Sequence, residues 1–127
     1  MIMDPQDRRP TVLVAEDVAL VRLNLVQQLE DTGFRVLEAR DAEAAVALLE
    51  AGEPVRIVLT DLNMPGAMDG LGLLRWVKLH RPEVIRAVAT ALADKSPTEE
   101  VSAPDLIFSK PFDPLRISQK LWDALAR

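Results

Sequence analysis

Uninterrupted apolar runs alternate along the chain with stretches in which apolar residues recur every three or four positions. The runs are short and rich in β-branched residues, as in the first of them, Thr11 to Ala15, and this is typical of strands buried on both faces. The spaced stretches are typical of helices with one apolar face. The pattern predicts strands over 11–15, 34–39, 55–60, 84–90 and 106–109, and helices over 18–32, 42–51, 70–80 and 113–126.

Capping and turn residues indicate where the helices begin and end. Asp41 precedes the second helix as an N-cap, and Gly33 and Gly52 stand where C-terminal caps belong. Between the fourth and fifth strands, the run Ser96 to Glu99 forms a capping box, and Pro104 stops any helix that follows it. The helix between these two strands, the fourth connecting helix, is therefore predicted to be shortened to about two turns.

Strands that alternate with helices indicate an α/β fold with a doubly wound parallel sheet, because each helix crosses over between parallel strands. A five-stranded sheet with helices on both faces is predicted. Residues 11–127 are expected to form one domain, which is long enough to bury a sizeable core. Residues 1–10 are largely polar and contain two prolines, and they are predicted to be a flexible N-terminal leader.

The composition excludes several classes of protein. With 49% hydrophobic and 28% charged residues, the 127-residue chain is typical of a globular domain. A formal net charge of −5 argues against a nucleic-acid-binding surface, and the lack of cysteine excludes disulfides and thiolate metal sites. No apolar run approaches the roughly 20 residues of a membrane span. A cytoplasmic protein without direct nucleic-acid or membrane contact is expected.

Chemically useful side chains follow four of the five predicted strands. Glu16 and Asp17 follow the first, Asp61 the third and Lys110 the fifth, while Thr90 ends the fourth. In an open parallel sheet the carboxyl ends of the strands form the ligand-binding edge. Gathered carboxylates raise each other's proton affinity unless a cation such as Mg²⁺ lies between them. An aspartate in such a place is able to act as a nucleophile toward phosphorus.

Each of these residues also has an ordinary structural explanation. A lone acid after a strand is most often a helix cap, and a lone lysine or threonine there is a solvated or turn residue. The coincidence of acids, a hydroxyl and a lysine at the same edge of one sheet favours the functional interpretation.

From Thr11 to Ala126 the chain resembles the receiver domain of two-component response regulators, in its stand-alone, CheY-like form. The resemblance implies a flavodoxin-like sheet with the strand order 2-1-3-4-5. The motifs that carry it are the acidic pair Glu16-Asp17, the acceptor position Asp61, the loop Met64-Pro65 with Met68-Asp69-Gly70, the pair Thr90-Ala91, and the signature Lys110-Pro111-Phe112.

The resemblance implies a magnesium site. Asp17 and Asp61 would bind Mg²⁺ directly, together with the backbone carbonyl of Asn63. Glu16 stands where the family more often has aspartate, and it would act through a bound water.

The resemblance also implies a phosphoacceptor. Asp61 would take a phosphoryl group from a sensor histidine kinase or a histidine phosphotransfer protein, and Thr90 and Lys110 would bind the phosphoryl oxygens. Such a module catalyses only its own phosphorylation and dephosphorylation. It signals through protein contacts, onward phosphotransfer in a phosphorelay, or a homodimer formed on phosphorylation.

One position departs from the family pattern. Ile107 lies three residues before Lys110, where receivers usually carry an aromatic ring that turns inward on activation. Phe108 is predicted to point to the opposite face, because side chains alternate along a strand. The conformational change on phosphorylation is therefore expected in the segment 92–104.

Two other classes of protein are less consistent with the residues. A Mg²⁺-dependent phosphatase with an aspartate nucleophile needs a general acid two residues later, and Asn63 occupies that place. A flavin-binding module needs a phosphate loop after the first strand, where Glu16 and Asp17 would repel the phosphate.

The sequence does not decide the role of two apolar surfaces. On the first helix, Leu20, Leu23 and Val26 belong either to a wide buried stripe or to a docking patch for the phosphodonor. On the last helix, Leu115 and Trp122 form either a dimer or target surface, or a tryptophan folded over the sheet edge.

Overall fold

The computed structural model describes residues 6–91, 103–109 and 111–127. Its centre is a five-stranded sheet in the order β2-β1-β3-β4-β5, in which every neighbouring pair is parallel. This confirms the predicted doubly wound fold and its strand order. The strands are β1 Thr11–Ala15, β2 Arg35–Ala39, β3 Ile57–Thr60, β4 Ile85–Thr90 and β5 Leu106–Ser109.

Four helices lie in the described part of the chain. They are α1 Ala19–Asp31, α2 Ala42–Glu50, α3 Gly70–His80 and α4 Pro114–Leu125. The largest difference from the predicted bounds is at β3, which begins two residues later than expected. Val55 is buried, but its backbone N–H donates to the carbonyl of Glu53 in a turn, so the ladder begins only at Ile57.

The sheet separates two hydrophobic cores. Along β1, Leu13 and Ala15 face the core under α2 and α3, while Val12 and Val14 face the core under α1 and α4. Both sets are fully buried because side chains alternate along a strand and each face of this sheet is covered by helices. The continuous apolar runs in the sequence are explained by this two-sided burial.

Aspartates start three of the helices. The side chain of Asp41 accepts from Ala44 N at 2.8 Å, and that of Asp69 accepts from Gly72 N at 2.9 Å. Asp113 caps α4 in the same way, with Leu115 N at 3.0 Å. These caps fix the helix starts close to the carboxyl ends of the preceding strands, which is the edge where the candidate site lies.

The structure shows how far the two apolar surfaces, on α1 and α4, are buried. On α1, Val26 is buried, whereas Leu20 and Leu23 are exposed, so the apolar stripe is only partly covered. On α4, the Trp122 ring stacks on Phe34 with centroids 4.4 Å apart, and its indole N–H donates to the backbone carbonyl of Thr32 at 3.0 Å. The tryptophan is therefore folded over the sheet edge, although part of its ring is still exposed.

Two predictions fall on residues that the structure does not describe. The short helix expected over 97–103 lies mostly in the segment 92–102, and Lys110 lies between two described ranges. Among the described helices, none combines the length and the apolar character that crossing a membrane requires.

Candidate functional site

The register of the sheet brings the ends of β1 and β3 side by side. Ala15 pairs with Thr60, and the backbone N–H of Asp61 donates to the carbonyl of Ala15 at 3.2 Å. Glu16 and Asp61 therefore leave neighbouring strands at the same level. Both are buried, with 2% and 6% of their surface exposed.

The Asp61 carboxylate is held by the backbone that follows it. The Oδ1 atom of Asp61 accepts a hydrogen bond from the N–H of Asn63 at 3.1 Å. The backbone carbonyl of Asp61 accepts one from the Thr60 hydroxyl at 2.9 Å. Asn63 itself is exposed, so the loop that carries it faces solvent. The hydrogen bond from a backbone N–H constrains the orientation of this buried carboxylate.

Gly70 is the residue that allows α3 to begin next to Asp61. Its N–H donates to the carbonyl of Leu62 at 3.1 Å. A Cβ atom at this position would lie 1.9 Å from the carbonyl oxygen of Asp61 and 2.7 Å from Leu62 Cα. The requirement for glycine is steric here, because any side chain would push the helix away from the end of β3.

Glu16 is anchored at both its side chain and its backbone. Its Oε1 accepts from the N–H of Val18 at 3.1 Å, and its carbonyl accepts from the guanidinium of Arg22 at 2.7 Å. Arg22 in turn pairs with Glu38 at 3.2 Å. Asp17, by contrast, is exposed. The acidic pair is thus divided into one buried and one solvent-facing carboxylate.

A carboxylate on α2, that of Glu43, organises the loop between β3 and α3. Glu43 Oε1 accepts from the backbone N–H of Met68 at 2.8 Å. Gly66 lies directly against it: its φ is +109°, and a Cβ there would be 2.7 Å from Glu43 Oε2. The positive φ and the close approach both favour glycine at this turn. The loop after Asp61 is therefore fastened to the first turn of α2.

Thr90 lies at the same edge of the sheet as Asp61. It is the last residue of β4, it is fully buried, and it pairs with Ser109 of β5. Five of the six predicted site residues therefore lie at or just after the carboxyl ends of β1, β3 and β4. They are Glu16, Asp17, Asp61, Asn63 and Thr90. The sixth, Lys110, is outside the described residues.

The donor atoms at this edge fit a hard divalent cation. Mg²⁺ binds carboxylate and carbonyl oxygens and keeps several waters, and Glu16, Asp17 and Asp61 offer carboxylates there. Within residues 6–91, 103–109 and 111–127, no three Asp, Glu, His or Cys side chains are grouped so that they could hold a metal by themselves. A cation held at this edge would need backbone carbonyls and waters to complete its coordination.

Two residues that shape the site were not identified from the sequence. Arg22 reads as a surface arginine of α1, and Glu43 as an ordinary acid in the first turn of α2. Their partners lie across loops, so no spacing rule along the chain indicates the contacts.

A sequence model described as the response regulator receiver domain matches residues 12–121. Among curated proteins, the transcriptional regulatory protein PhoP of Escherichia coli (strain K12) is 36% identical over 104 residues, which are 80% of this chain and 45% of that protein. The chain spans about half or less of the length of the curated relatives that it matches.

Solved structures show the same fold. A response regulator receiver domain protein from Clostridium thermocellum superposes with a TM-score of 0.82 at 23% identity, covering 93% of this chain and 95% of the other. The response regulator TrrA from Thermotoga maritima, solved in complex with Mg²⁺ and BeF, gives a TM-score of 0.79 at 23% identity, covering 90% and 97%.

Proposed function

The chain belongs to the response regulator receiver domain family, and we propose that Asp61 is the residue on which it accepts a phosphoryl group. Receiver domains are the phosphoacceptor modules of two-component regulatory systems. The observation that carries the assignment is the buried Asp61 carboxylate at the end of β3, next to the buried Glu16 at the end of the adjacent β1. If Asp61 were only a structural cap, a second buried acid beside it would add the free-energy cost of burying another charge without a structural gain.

In the proposed reaction, a carboxylate oxygen of Asp61 attacks the phosphorus of a phosphohistidine. A P–O bond forms while the P–N bond breaks, and the electron pair of that bond returns to the imidazole of the donor. The Asn63 N–H fixes the attacking carboxylate, so little reorganisation is needed at the moment of transfer. The Thr90 hydroxyl and the Lys110 ammonium are proposed to bind the phosphoryl oxygens of the product.

We assign the metal to the same edge. Asp17, Asp61 and the backbone carbonyl of Asn63 would hold Mg²⁺, with Glu16 acting through a water. When bound, the cation neutralises the negative charge that gathers between carboxylate and phosphoryl oxygens. TrrA, which has the same fold, was solved in complex with Mg²⁺ and BeF, and this supports magnesium as the cation.

The proposed partners follow from this chemistry. A sensor histidine kinase or a histidine phosphotransfer protein supplies the phosphoryl group, and the output is a protein contact, an onward transfer or a homodimer. The exposed Leu20 and Leu23 of α1 offer an apolar surface beside the site for the donor. The chain is proposed to work in the cytoplasm, without turnover of any substrate other than its own phosphoryl group.

Intact-mass measurement after incubation with acetyl phosphate and Mg²⁺ tests the proposal. The parent protein should gain the mass of one phosphoryl group, and the gain should disappear when EDTA replaces Mg²⁺. Asp61→Asn should gain nothing, because an amide is a poor nucleophile.

Asp31→Asn is the matched control, since Asp31 is an exposed acid at the far end of α1. It should be labelled like the parent. Labelling of Asp61→Asn at the parental rate would place the acceptor elsewhere and overturn the assignment.

A further inference from the structure

A second concave site lies at the opposite edge of the sheet from Asp61. It is a cleft of about 490 Å³ at the amino ends of β1 and β3, roofed by the last turn of α4. Volumes of this order are typical of small-molecule sites. Its lining combines Arg8, Arg9 and Arg56 with the flat apolar surfaces of Pro54, Trp122 and Leu125.

Backbone hydrogen bonds build the walls of this cleft. The carbonyl of Pro10 accepts from the N–H of Arg35 at 2.9 Å, which attaches the segment before β1 to β2. On the other side, the N–H of Arg56 donates to the carbonyl of Thr11 at 2.9 Å, which fixes the chain before β3. Arg56 therefore projects from backbone that the sheet holds in place, and Arg8 and Arg9 lie directly before the anchored Pro10.

The charge of the cleft is positive in a protein whose formal net charge is −5. Arg9 is neutralised by Asp7, with a 2.7 Å contact between guanidinium and carboxylate. Arg8 and Arg56 are exposed and make no ion pair with another described residue. Two guanidinium groups thus face the cleft with donors available to a ligand, and the fork of donors on arginine matches phosphate oxygens.

The tryptophan supplies the other half of the site. Phe34 and the carbonyl of Thr32 fix the Trp122 ring in position, and 37% of its surface stays exposed. An exposed aromatic ring fixed beside arginines is suited to a planar ligand group, which stacks on the ring or against the guanidinium plane. The neighbouring Pro54 and Leu125 extend this apolar surface.

We propose that this cleft binds a small anion that carries both phosphate and a flat ring, that is, a nucleoside phosphate. Arg8 and Arg56 bind the phosphate oxygens, and the ring lies against Trp122. The site is separate from the acidic edge that holds Asp61, so the two assignments stand or fall independently.

Isothermal titration with ATP, in EDTA and at near-physiological salt, measures the binding directly. Arg8→Gln and Arg56→Gln should each weaken it by about tenfold, the loss expected for one charge-assisted contact. Arg40→Gln is the matched control, because the Arg40 side chain is 82% exposed and lies outside the cleft; it should bind like the parent. Asp61→Asn should also bind ATP normally.

Adenosine and inorganic tripolyphosphate separate the two halves of the ligand, and both should bind more weakly than ATP. In a Trp76→Phe background, where Trp122 is the single tryptophan, ATP should change the indole fluorescence. Any one of three results would overturn the proposal. These are tripolyphosphate binding as tightly as ATP, a loss of ATP affinity in Arg40→Gln equal to that in the two cleft variants, and no ATP binding by the parent.

Discussion

The carboxylate of Glu43 accepts a 2.8 Å hydrogen bond from the backbone N–H of Met68, 25 residues further along the chain. This contact joins the first turn of α2 to the loop that follows Asp61. The same carboxylate lies where a side chain on Gly66 would be. The loop that carries Asn63 is therefore positioned from a neighbouring helix as well as by its own turn.

Glu43→Ala should slow the phosphorylation of Asp61. A hydrogen bond to a carboxylate in an exposed place contributes about 1 kcal/mol, and losing it from the ordered loop corresponds to about a fivefold lower rate with acetyl phosphate. Glu43→Gln keeps an acceptor oxygen and should retain most of the rate. The exposed Glu50 at the end of α2 provides the control, because Glu50→Ala should leave the rate unchanged. Equal rates for Glu43→Ala and Glu50→Ala would contradict a positioning role.

Gly70→Ala should strongly destabilise the fold. The new Cβ would lie 1.9 Å from the Asp61 carbonyl oxygen. This oxygen belongs to the backbone, so it cannot rotate out of the way as a side chain does. We expect a loss of about 3 kcal/mol, at the upper end of overpacking effects. In Gly72→Ala the Cβ would meet the flexible Met68 side chain at 2.7 Å, and alanine favours the helix, so the change should stay within about 1 kcal/mol. Urea unfolding measures both, and similar losses would refute the steric explanation.

Neighbouring residues of β5 should respond very differently to truncation. Ile107 is 45% exposed, whereas Phe108 is half-buried and packs against the core under α1 and α4. Phe108→Ala should cost about 2 kcal/mol, below the range for fully buried rings, and Ile107→Ala should cost at most about 1 kcal/mol. Urea unfolding of the pair tests which face of the strand each residue takes. A larger loss at Ile107 would reverse the assignment.

Arg9 should hold Asp7 ionised into strong acid. Hydrogen bonds from its guanidinium, and then from its backbone N–H, lower the pKa of Asp7 from 3.8 to about 2. A lowered carboxyl pKa contributes stability above pH 3.8, and that contribution is lost as the pH falls toward 2. A carboxyl-carbon NMR titration should give the low pKa in the parent and a higher pKa in Arg9→Gln, still below 3.8 because the backbone N–H of residue 9 remains a donor. Arg8→Gln should leave the pKa of Asp7 low. A raised pKa in that variant would mean that Arg8, and not Arg9, causes the effect.

Local patterns predicted most of the fold. The bounds of α3 and β5 agree with the predicted ones, because the apolar pattern lies within each segment and Asp69 directly precedes α3 as its cap. At β3 the prediction was two residues too long. The apolar character of Val55 is explained by burial, but its N–H bonds within a turn, and a hydropathy pattern does not distinguish burial from pairing in a ladder.

The sequence by itself determined the order and type of the elements, the family, and the side chains that end the strands, because these depend on local periodicity and residue type. Only the tertiary structure decided that Glu16 is buried while Asp17 is exposed, and that Trp122 reaches Thr32 across 90 residues. It also decided that Glu43 holds the loop after Asp61. These contacts arise where strands and helices that are distant along the chain pack together, and no periodicity within a single segment encodes them.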